Sequence, residues 1–115
     1  MREITTIQRN NKLNNVYAAD KKGDGGVNHL YLIFFNKPDI DSDAEHSALI
    51  QFRNGSDSES GIIDTDLLEI VRDRLIGFQQ GKYASRETAI ALTHIETALM
   101  WLNKQVEDDS VKRSS

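Results

Sequence analysis

With 115 residues, no cysteine and a net charge of −4, the chain is sized for a single domain that buries roughly two thirds of its unfolded surface. The missing cysteine excludes disulfides, thiolate zinc sites and a cysteine nucleophile, and fits a reducing compartment. Scattered cations give no basic stripe for DNA or RNA, and the longest apolar run, Leu30 to Phe35, is far too short to span a bilayer; neither polymeric nucleic acid nor a membrane is an expected partner.

The N-terminal segment, MREITTIQRNNKLNN, is polar and has no secretory apolar core. Ile4 to Gln8 and Val16 to Ala19 are the weaker strand candidates, with an Asn-rich turn between them at Asn10 to Asn15. KKGDGG, Lys21 to Gly26, reads as a hairpin loop. HLYLIFF, His29 to Phe35, is apolar on both faces and predicts a central strand; SALIQFR, Ser47 to Arg53, alternates and predicts a half-polar one. Lys37 to His46 and Asn54 to Gly61 read as solvated loops, the second separating sheet from helices.

From Gly61 to Asp109 the pattern changes to a helical hairpin. A first helix is predicted from about Thr65, the expected N-cap, to Gln80, with Asp66 and Glu69 near its positive end. Leu67, Val71, Leu75 and Phe78 line one side, joined by Leu68 and Ile76. Gly81 stands where a helix-ending glycine is expected and Ser85 can cap the next helix, so the short connection forces an antiparallel pair. On the second helix Leu92, Ile95, Leu99, Leu102 and Val106 form an inward stripe. Arg86, Ile90, Thr93, Thr97, Met100 and Lys104 share the opposite direction, a mixture that suits a subunit interface and an anion framed by it. The expected fold class is α+β: a small antiparallel sheet (1–60), then the hairpin (61–109), then a frayed tail (110–115), all in one domain.

Few motifs carry chemistry. Asp39, Asp41, Asp43 and Glu45 begin a calcium-loop spacing, but Ala44 and Ile50 occupy the positions that need glycine and glutamate. His94-Ile95-Glu96 matches a fragment of the zinc-deaminase signature without the cysteines that complete it. Gly23 to Gly26 is a turn, not a phosphate loop, and no catalytic grouping, metal site or cofactor motif is expected. Three features bear on binding. Phe78, at the edge of the hairpin bend, is either core or a platform for a base; Arg53 is either a solvated strand end or a phosphate partner. Ser85-Arg86-Glu87-Thr88 puts backbone N–H groups, an arginine and hydroxyls at a helix start, where an anion is favoured despite Glu87.

DLLEIVRDRL (Asp66 to Leu75), FQQG (Phe78 to Gly81) and RETAIALTHIETALMWL (Arg86 to Leu102) together resemble the hairpin shared by two groups of phage immune-evasion proteins, Thoeris anti-defence protein 1 and anti-CBASS protein 2. The strand-rich N-terminal half is similar to the Thoeris group. That resemblance implies a sponge in the host bacterial cytoplasm, not an enzyme. It would sequester glycocyclic ADP-ribose (the 1''-2' or 1''-3' linked isomers made by TIR-domain enzymes) without cleaving it, and would assemble as a homo-oligomer, dimers building a hexamer. It also implies a second site for cyclic trinucleotides. Carried onto this sequence, the cyclic ADP-ribose site comprises Arg53 for the pyrophosphate, Phe78 for the adenine, Thr88 for a ribose or phosphate oxygen, and Gln105. Thr88 stands where some relatives carry asparagine, and Gln105 and Asp109 where the family tends to carry arginines, with Lys104 the nearest cation. The trinucleotide site comprises Arg86, Thr93 and Thr97. A rival reading is a structural oligomer with no nucleotide ligand.

Overall fold

The computed structural model describes residues 1–8, 13–36, 46–55 and 60–114, and the acidic run from Asp39 to Glu45 lies outside them. The fold is α+β, as the sequence predicts: four antiparallel strands precede two helices. Contacts divide the chain into two compact units, Met1–Ile62 and Ile63–Ser115.

In the first unit β1 (Arg2–Glu3), β2 (Asn14–Ala18), β3 (Leu30–Phe35) and β4 (Ser47–Gln51) follow one another across the sheet in chain order. β3 is the central strand that its two apolar faces demand. It pairs Tyr17 with Leu32 on one side and Leu32 with Leu49 on the other. Side chains alternate, so Tyr17 and Phe34 meet edge to face at 5.5 Å on one face, and Tyr31 and Phe52 do so at 5.7 Å on the other.

The first strand falls earlier than Ile4 to Gln8. Arg2 and Glu3 pair with Ala18 and Tyr17, and Ile4 donates its N–H to the Val16 carbonyl at 3.1 Å. Beyond that point the Thr6 hydroxyl accepts the Gln8 N–H at 3.0 Å, which diverts the backbone from the ladder into a local turn. β2 likewise begins at Asn14, inside the stretch expected to turn. Between β2 and β3 the loop tightens at Asp24–Gly26, where Gly25 and Gly26 have φ of 76° and 78°, left-handed values that favour glycine.

A polar knot closes that loop. The Asp20 carboxylate accepts N–H bonds from the His29 backbone (3.1 Å) and the Asn28 side chain (3.1 Å), while the Asn28 carbonyl accepts Arg2 at 2.7 Å. Burial pushes the Asp20 carboxyl upward, but the bonds from Asn28, His29 and Leu30 outweigh it and hold the pKa below the usual carboxylate value. The knot therefore contributes fully above the unfolded pKa of an aspartate and is lost as pH falls through the lowered one.

β4 ends in a backbone clip. Arg53 donates its N–H to the Ile62 carbonyl and Ile62 donates to Gln51, both at 2.9 Å, in a parallel bridge that pairs Phe52 with Ile62. Gly61 makes this approach possible, because a Cβ there would lie 2.6 Å from the Arg53 nitrogen and 2.7 Å from the Phe52 carbonyl carbon.

The second unit is the hairpin of α1 (Asp64–Gln79) and α2 (Arg86–Ser114). The N-cap is Ile63 and not Thr65. The Asp66 carboxylate accepts the Ile63 N–H at 2.9 Å, so the acid three residues on satisfies the start of the helix from inside. Gly81 does not adopt a left-handed conformation. The bend instead closes by successive tight turns, Gln80 to Gly77, Gly81 to Phe78 and Ala84 to Gly81, each at 3.2 Å. α2 continues to Ser114, past the end expected near Asp109, because no glycine or proline interrupts it.

The seam between the helices follows the predicted stripe as far as Leu102; the side chain of Val106 lies outside those described. Leu92, Ile95 and Leu102 are half-buried and Leu99 is 6% exposed. On α1 Leu67, Leu68, Leu75 and Ile76 are half-buried, whereas Val71 and Phe78, expected on the same side, are exposed. Arg72 and Glu96 bridge the helices with a 2.9 Å ion pair; both are more than a third exposed, so the pair sets alignment and contributes less than about 1 kcal/mol.

Candidate functional site

Phe78 stands in the last turn of α1 with 38% of its surface exposed. Its ring stands perpendicular to that of Tyr83, with centroids 6.4 Å apart. Each ring carries a cation: the Arg74 guanidinium lies 5.5 Å from the Phe78 centroid and the Lys82 ammonium 5.2 Å from that of Tyr83. Sequence reasoning found Phe78 but not this company. Arg74 lies one helical turn before Phe78, a spacing that signals the contact, whereas Tyr83 and Lys82 reach it only because of how the bend is closed.

Thr88 is half-buried in the first turn of α2 and belongs to the helix cap. Ser85 Oγ accepts the Thr88 N–H at 3.0 Å and donates to Thr88 Oγ1 at 2.9 Å, while the Ser85 N–H is held by the Gln79 side chain at 2.9 Å. The Thr88 hydroxyl hydrogen remains available to a ligand oxygen. Ser85→Ala is expected to cost about 0.5–2 kcal/mol, the range for losing a cap. Thermal unfolding of the variant measures it; an unchanged midpoint would mean that Gln79 alone holds the helix start.

Gln105 is exposed and lies 17 residues beyond Thr88 on the same helix, about 25 Å along its axis at 1.5 Å per residue. Arg53 lies in the first unit, just after β4, with its backbone fixed by the Ile62 clip and its side chain exposed. Close by in that unit, Asp20, His29, Leu30, Gln51, Phe52 and Asn54 line an open recess of about 230 Å³. His29 Nδ1 is buried there without a protein partner.

Arg86, Ile90, Thr93, Thr97, Met100 and Lys104 are all exposed, and Met100 is 71% so. The two threonines donate to their own helix, Thr93 to the Ala89 carbonyl at 3.1 Å and Thr97 to the Thr93 carbonyl at 2.9 Å. Their oxygens therefore present lone pairs outward, and Arg86 and Lys104 are the cations of this face. Trp101, which sequence reasoning passed over, stands beside Met100 with 68% of its surface exposed. Among the described residues no three His, Asp or Glu side chains converge as a metal site would require, and no helix is long and apolar enough to cross a membrane.

The C-terminal half is thus an antiparallel hairpin with a long second helix and an exposed aromatic residue at its bend. The family description "Acb2/Tad1, hairpin domain" matches residues 44–107, more than half of the chain, and the chain belongs to that family. It is similar to "Thoeris anti-defense 1" of Bacillus phage SBSphiJ7, with 39% identity over 64 residues; the match covers 53% of this chain and 45% of the phage protein, less than half of that relative's length.

Proposed function

We propose that the chain is a phage anti-defence protein that sequesters glycocyclic ADP-ribose made by Thoeris TIR enzymes in the bacterial cytoplasm, and so withholds the signal from its effector. The observation that carries this reading is the hairpin itself, which matches a family that includes a Thoeris anti-defence protein and presents Phe78 at its bend. A cyclic ADP-ribose offers a purine face, a pyrophosphate and several hydroxyls. Phe78 stacks on the purine, Arg53 pairs with the pyrophosphate, and Thr88 and Gln105 bond to ribose or phosphate oxygens. Because Gln105 stands about 25 Å along α2 from Thr88, a pocket that uses both draws on two copies of the chain. This agrees with a dimer, and with dimers assembling to a hexamer. The face of Arg86, Thr93 and Thr97 takes a cyclic trinucleotide where copies meet.

Sequestration requires no general base and no metal. Calorimetric titration with purified glycocyclic ADP-ribose, with linear ADP-ribose as control, is expected to give saturable binding of the cyclic form. Heat denaturation of the loaded protein should then release the ligand intact by chromatography. Conversion to a linear product at catalytic protein levels would replace the sponge by a hydrolase. Absence of binding would leave a structural oligomer as the better account.

A further inference from the structure

We propose that Arg74, Lys82 and Tyr83 complete the Phe78 site, forming an aromatic and cationic corner at the hairpin bend that takes the base and the diphosphate of an adenine nucleotide. The inference rests on the reading of Phe78 as a base-stacking residue and extends it to three side chains of the same bend. Phe78 and Tyr83 stand at 85° to one another with their centroids 6.4 Å apart, and Tyr83 is 67% exposed. Two perpendicular rings make two walls. A planar base stacked on one presents its positive edge to the face of the other, the favourable geometry of aromatic pairs.

The cations occupy chosen places. Arg74 lies over Phe78 and Lys82 over Tyr83, both within the range in which a ring attracts a cation. Among the described residues neither is held by a carboxylate. A base that stacks on the Phe78 face now covered by Arg74 displaces the guanidinium sideways, and the cation then ends beside the base. Phosphates linked to that base then meet two positive heads, one forked and one compact. Tyr83 lies in a short turn outside the helix seam, and its backbone makes none of the bonds that close the bend.

Calorimetric titrations of the full chain with glycocyclic ADP-ribose, linear ADP-ribose and ADP test the corner, comparing wild type with Tyr83→Ala, Tyr83→Phe, Lys82→Ala and Arg74→Ala. With wild type binding the cyclic ligand, Tyr83→Ala should weaken affinity by about tenfold, the scale of a lost stacking contact. Tyr83→Phe should stay close to wild type, and melting temperatures should hold because these side chains are exposed. Each cation variant should weaken binding by about fivefold to tenfold and flatten its dependence on salt. If wild type binds the cyclic ligand and all four variants bind as well, the corner is overturned while the sponge reading stands. If wild type binds ADP or linear ADP-ribose alone with the same Tyr83 dependence, the corner stands and the cyclic ligand falls. Absence of binding to all three overturns both.

Discussion

Leu99→Ala is expected to lower the thermal unfolding midpoint by about 10 °C or more. Leu99 and Ala18 are the buried hydrophobic residues among those described, and Leu99 alone serves the helical unit. Truncating a buried leucine removes its transfer free energy and leaves a cavity, together about 2–5 kcal/mol. In a small domain each kcal/mol shifts the midpoint by about 4–8 °C. Calorimetric or circular-dichroism melting checks this, with exposed Asn103→Ala on the same helix expected to stay within about 0.5 kcal/mol of wild type. Equal midpoints for Leu99→Ala and wild type would show that the seam between α1 and α2 is not what holds the hairpin.

The second large effect concerns the opposite face of α2. Thr97→Glu should break the higher oligomer, and Arg86→Ala should abolish cyclic trinucleotide binding while largely sparing cyclic ADP-ribose. Thr97 is exposed and spends its hydroxyl hydrogen on the Thr93 carbonyl, so a glutamate costs the helix little and puts a carboxylate where copies converge. Exposed Ile90, Met100 and Trp101 provide apolar area that a symmetric contact would cover. Arg86 begins α2, and several copies around one axis would repel unless an anion sat among them. Light scattering on Thr97→Glu and titration of Arg86→Ala with both ligand classes measure the two outcomes. An unchanged oligomer with unchanged trinucleotide binding would reduce this face to a solvated surface.

The periodic features were the legible ones. The three-and-four spacing of Leu92, Ile95, Leu99 and Leu102 locates the seam, and the double-faced apolar run of β3 locates the sheet centre, because burial repeats with backbone geometry. Local competition was not legible. Thr65 looked like a cap, but the Asp66 carboxylate satisfies Ile63 first; Gly81 looked left-handed, but tight turns close the bend without it. At the candidate site, Phe78 was readable from its position at the end of a helix. Tyr83 and Lys82 were not, since a ring's neighbours across a bend depend on dihedral angles that composition does not encode.

The clip that anchors Arg53 consists of main-chain bonds on both sides, Arg53 to Ile62 and Ile62 to Gln51, with Gly61 pressed against the opposite backbone. For the stretch that joins the two halves of the clip, closure entropy grows only logarithmically, so doubling its length costs about 0.6 kcal/mol. Lengthening the chain between the two halves of the clip should therefore leave Arg53 in its place, whereas any side chain added at Gly61 would push the two strands of backbone apart.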